Sequence, residues 1–75
     1  MSRSEGIVVL PTSEAVRFLK KSTGYVFVTI AGTETAVIVM KVDLITQMTE
    51  RFGDEVRWLI TWTDDGTFVE FAEAL

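Results

Sequence analysis

Two β-branched runs, Tyr25 to Ala31 and Thr35 to Val42, flank Gly32-Thr33, and the hairpin they spell is apolar on both faces. In the first run Val26, Val28 and Ile30 alternate with Tyr25, Phe27 and Thr29. In the second, Ala36, Ile38, Met40 and Val42 alternate with Thr35, Val37, Val39 and Lys41. A strand that is apolar on both sides needs cover on both sides, whereas an ordinary antiparallel sheet turns one face to water. The remaining sequence offers two short helical patterns, enough to dry one side. The other side is left for a second molecule to cover.

Gly6-Ile-Val-Val-Leu10, stopped by Pro11, reads as a short buried strand. Thr12 then suits the N-cap of a helix of about ten residues, with Glu14 in its first turn and Lys20 and Lys21 in its last, as the helix dipole favours. Ala15, Val16, Phe18 and Leu19 make its apolar stripe, and Gly24 is its expected stop. Asp43 is placed to cap a second helix, with Leu44, Ile45, Met48 and Phe52 inward and Gly53 at its end. Val56, Trp58, Ile60 and Trp62 alternate with Glu55, Arg57, Leu59 and Thr61, a half-buried strand. Asp64-Asp65-Gly66 signals a turn, and Thr67 to Ala72 returns as the last strand.

The order β-α-β-β-α-β-β predicts a single α+β domain over residues 1–75, with residues 1–5 as a tail. The expected architecture is an antiparallel sheet with both helices on one face, a ferredoxin-like split β-α-β pattern plus one C-terminal strand. Two α-β-β halves, over 13–40 and 43–71, are the alternative division. The uncovered face is expected to carry Tyr25, Phe27, Val37 and Val39.

Composition narrows the function. There is no His and no Cys in 75 residues, so disulfides, thiolate sites and the common zinc patterns are excluded. No cofactor or metal site is expected: Asp64, Asp65 and Glu70 do not have the spacing of a calcium loop. The serines, at 2, 4, 13 and 22, have no His to activate them, and Lys20, Lys21 and Lys41 suit exposed or strand-end positions. The expectation is a binder and not an enzyme. A domain of this size buries only roughly 60% of its unfolded surface. With 48% hydrophobic residues, association is the reinforcement open to it, and a homodimer is expected.

Charge adds a direction. The net charge of −4 divides into +2 over residues 1–42, −1 at Asp43 and −5 over residues 50–75. An acidic C-terminal half repels phosphate backbones and favours basic protein surfaces. Asp54, Glu55, Asp64, Asp65, Glu70 and Glu73 form the candidate acidic surface, able to imitate a phosphate array if the target handles nucleic acid. Tyr25, Phe27, Val37, Val39, Phe68 and Glu70 form the candidate protein-binding or dimer interface. The longest apolar run, Ala36 to Met40, is far short of a membrane span, and no signal-peptide pattern precedes it, which points to the cytoplasm.

Gly24-Tyr25-Val26-Phe27-Val28-Thr29-Ile30 resembles the RNP1 strand of RNA-recognition motifs. In that family the leading aromatics lie on the open sheet face and stack on bases, so the resemblance implies this role for Tyr25 and Phe27, with Lys20, Lys21 and Lys41 near phosphates. The chain departs from the family in its acidic balance and in Ile7-Val8-Val9-Leu10, which lacks the first-strand aromatic. The reading adopted is a small acidic protein that binds another protein stoichiometrically, as a regulator or inhibitor. By size and charge it is similar to phage or mobile-element proteins that disable a host complex. A nucleic-acid module using residues 24–30 and a self-assembling structural subunit are the alternatives.

Overall fold

A computed structural model of the chain describes residues 5–29 and 34–74. The elements are β1 (Gly6–Pro11), α1 (Thr12–Lys21), β2 (Tyr25–Thr29), β3 (Ala36–Val39), α2 (Lys41–Arg51), β4 (Val56–Thr63) and β5 (Gly66–Ala74). The predicted order of seven elements holds, and the fold is a small α+β domain with a five-stranded sheet and two helices. Ile30, Ala31 and the Gly32-Thr33 turn lie outside the described residues.

The sheet is mixed, not wholly antiparallel. Its order is β1-β4-β5-β2-β3, and the β2–β5 pair is parallel while its other neighbours are antiparallel. This differs from the ferredoxin arrangement, because β1 lies at an edge and the added strand β5 lies at the centre. The two-residue turn Asp64-Asp65 holds β5 against β4, with Thr63 paired to Gly66. The free edge of β5 is then taken by β2, whose Val26 and Val28 match Thr67 and Val69. Gly66 makes that junction possible. It is buried with φ 151°, and a Cβ there would strike the carbonyl oxygen of Tyr25.

One face of the sheet holds the core. Val26, Val56, Trp58, Ile60 and Val69 are buried there against Ala15 and Leu19 of α1 and Met48 of α2. Val8, Leu10, Phe18, Leu44, Ile45, Phe52 and Trp62 pack around them. The two Trp residues anchor opposite ends: Trp62 lies 5.2 Å from the Phe18 ring, and Trp58 meets Phe52 edge-on at 5.1 Å. The indole N–H of Trp58 donates to Thr12 Oγ1 at 2.8 Å, so the buried polar tip is satisfied.

Both helix starts differ from expectation. Pro11 ends β1 and holds the N-cap position of α1, which puts Thr12 inside the helix as a buried residue. One N–H of that helix end, that of Ser13, is met from elsewhere in the chain, by Asp54. Helix α2 starts at Lys41, with Met40 at its N-cap, so β3 stops at Val39 and Asp43 falls in the first helical turn. Lys41 Nζ donates to the carbonyl oxygen of Ser22 at 2.6 Å, which fastens the start of α2 to the end of α1. That bond gives Lys41 a structural task in place of the solvent or phosphate contact expected of it.

Candidate protein-binding face

Strand side chains alternate between faces, so the helices leave one whole side of the sheet uncovered. The register places one residue of each strand in a single row across it: Ile7, Thr61, Phe68, Phe27 and Ile38. A second row holds Val9, Leu59 and Glu70. Ile7 is 64% exposed, Val9 45%, Tyr25 64% and Ile38 61%. Phe27 and Phe68 lie within the face with ring centroids 4.6 Å apart and planes 11° from parallel, and Tyr25 meets Phe27 edge-on at 6.4 Å. These rings give the patch a fixed shape, since each holds its neighbour's rotamer.

Of the expected interface residues, Tyr25, Phe27, Phe68 and Glu70 come together on this face. Val37 and Val39 do not. Val39 pairs with buried Val26 and packs on the core, and Val37 pairs with Val28 on the same helix-covered side. Their places on the open face are taken by Ala36 and Ile38, partners of Thr29 and Phe27. The period along a strand is two, so a one-residue slip in assumed register transfers every side chain to the wrong face. The signal was present: counting outward from Gly32-Thr33 sets Phe27 opposite Ile38. Ile7, Val9 and Leu59 were missed because the order β1-β4-β5, which lays them in rows with Phe68 and Glu70, could not be seen.

The acidic residues do not form one surface. Asp54 and Glu55 precede β4, and Asp64 and Asp65 follow it, so the eight residues of that strand separate the two pairs by about 26 Å at the rise of an extended chain. Glu73 is opposite Arg57, at the Asp54 end. Asp54 is also engaged. Its Oδ1 accepts the backbone N–H of Ser13 at 2.8 Å, and its Oδ2 accepts the Ser13 hydroxyl at 3.0 Å. The carboxylate thus serves as the cap of α1 from 41 residues away in sequence, where negative charge suits the helix N-terminus.

Charge on the open face is sparse. In the paired rows it carries Glu70 on β5 and Arg57 on β4, both exposed, with Glu73 in register opposite Arg57. Lys20 and Lys21 belong to α1, on the helix side. A cleft of about 340 Å³ opens on that side between Phe18, Lys21, Ser22, Thr23, Trp62, Thr63 and Thr67. Among the described residues no group of three acidic side chains is placed to hold a metal ion. No described helix is long and apolar enough to cross a membrane.

No protein-family model matches the chain, and no curated protein or solved structure matches it either.

Proposed function

We propose that this chain is a small non-catalytic cytoplasmic protein that acts by stoichiometric contact with another protein, as a regulator or inhibitor, and that the open sheet face is its contact surface. The row Ile7–Thr61–Phe68–Phe27–Ile38 carries this reading. Exposed Ile7 and Ile38 on the edge strands flank half-buried Phe68 and Phe27, and contiguous apolar patches of this kind lose hydration cost when covered and mark interfaces. The aromatic centre and scarce charge match the composition of interface cores.

Nucleic-acid binding is the second reading, favoured by one observation: Tyr25 and Phe27 share the open face, as the RNP1 resemblance implies. Against it stand Glu70 in the middle of that face and a single described cation, Arg57, in its paired rows.

The test uses the protein as bait, beside variants Ile7→Asp and Ile38→Asp. Both positions are exposed, so the fold should survive, with stability changed by roughly 0.5 kcal/mol or less. A stoichiometric protein companion held by the unaltered chain and lost from both variants is the expected result. A companion retained by both variants would overturn the assignment of the face, and nuclease-sensitive material lost with Tyr25→Ala would replace it with the second reading.

A further inference from the structure

Resting on that reading, we infer that the target supplies an extended apolar segment ending on an acidic residue, which adds to the free edge of β1 as a further strand and lays alternate side chains in the cleft between β1 and α1. β1 is an edge strand, and among the described residues it pairs with β4 alone. In an antiparallel pair alternate residues turn their N–H and C=O away from the partner, so this edge presents a row of backbone donors and acceptors. Sheet edges are ordinarily blunted by charge, proline or a bulge. Here Gly6-Ile-Val-Val-Leu10 carries no charge, its register with β4 is unbroken, and Pro11 stands only at its end. The opposite edge is less open to addition: β3 has four residues, and α2 begins two residues after it.

The cleft is the second observation. One stripe of α1, formed by Glu14, Arg17, Phe18 and Lys21 at helical spacing, stands over Val8 and Leu10 and encloses about 330 Å³ with Trp62. Gly6 pairs with Trp62, and its lack of a side chain admits the indole, since a Cβ there would strike the ring. Val8 and Leu10 are half-buried on this side, whereas Ile7 and Val9 are exposed on the open face. Side chains on one face of an added strand recur about every 6.8 Å, the same repeat as Val8 and Leu10. One set therefore enters the cleft beside α1, and the other continues the open-face rows at Ile7 and Val9. Main-chain bonds hold such a strand, and the cleft selects among its side chains. Charge sets its direction. Glu14 and Arg17 face each other at 3.8 Å, so Lys21 is the rim cation that an incoming carboxylate meets. Phe18 rests on Trp62, the partner of Gly6, which puts Lys21 at the Gly6 end of the cleft. Antiparallel pairing, the more stable ladder, brings the C-terminal end of the segment to that point.

The experiment titrates the full chain with a set of synthetic octapeptides, Val or Leu alternating with Thr, amidated and ending in Asp or in Lys, read by fluorescence polarisation. The tightest Asp-ended peptide is also made in two N-methylated forms, one blocked at its odd amides and one at its even amides. Asp-ended peptides should bind about threefold more tightly than Lys-ended ones, and Lys21→Glu, an exposed change, should reverse that order. One N-methyl pattern should weaken binding about tenfold or more and the other leave it unchanged, because only alternate amides face β1. Ile38→Asp, at the opposite edge of the sheet, should bind the peptides as the unaltered chain does. Equal binding of the two N-methyl patterns, an order of preference that Lys21→Glu does not alter, or a set with no binder overturns the strand addition. That failure is separable from failure of the functional reading: a protein companion lost from Ile38→Asp still assigns the open face when no peptide binds.

Discussion

Trp58 and Thr12 are tied by a hydrogen bond of 2.8 Å inside the core, the indole donating to a hydroxyl 46 residues away. Thr12 Oγ1 is also 3.4 Å from the Val56 carbonyl oxygen, so one hydroxyl joins the start of α1 to both ends of a strand segment it does not adjoin in sequence. Thr12→Val keeps the shape and removes the acceptor. It should cost about 1–3 kcal/mol, the penalty for stranding a buried donor, and Thr12→Ser should recover most of it. Urea unfolding of the three proteins checks this; equal midpoints for Val and Thr would show that the bond contributes nothing net.

Asp54 should behave as a helix cap despite its distance along the chain. Asp54→Ala is expected to destabilise by about 0.5–2 kcal/mol, and Ser13→Ala by less, because the backbone N–H of Ser13 still donates to the carboxylate. Amide exchange at Ser13 gives the local readout. If Asp54→Ala leaves that amide as protected as before, the cap is dispensable.

Gly66 is the residue that lets β5 approach β2. Gly66→Ala forces a methyl group against the Tyr25 carbonyl oxygen and places a side chain at a φ that L residues disfavour, so a loss greater than about 1 kcal/mol is expected. Exchange protection should fall first over Tyr25–Thr29 and less over β1 and β4, which pair independently of that junction. A uniform loss of protection across all strands would refute the localised effect.

Local pattern revealed the elements well and their arrangement poorly. Alternation identified β4, and apolar spacing with end charges identified α1, because both signals lie within a few neighbouring residues. Strand order is a different kind of information. The parallel joining of β5 to β2 brings together residues about 40 positions apart, such as Phe27 and Phe68, and nothing local distinguishes that partner from another apolar strand. The same holds for the capping of α1. Ordinary cap rules inspect the adjoining residue, Thr12, whereas the Ser13 N–H and hydroxyl donate to Asp54. The reading of the open face suffered from register alone: the correct hairpin, read one residue out, put Val37 and Val39 where Ala36 and Ile38 lie.

The central place of β5 has a consequence for synthesis. The strand made last in this sheet holds its two halves together, since β4 pairs with β1 on one side and β2 with β3 on the other, and β5 alone joins them. While residues 66–74 are still inside the ribosome, the emerged chain owns two separate strand pairs, too small to be stable alone. Collapse to the native sheet waits for the whole domain, so the apolar runs at 6–10 and 36–40 spend their first seconds uncovered. For this fold the interval just after synthesis is the time of greatest exposure to chaperones, to proteases and to other copies emerging nearby.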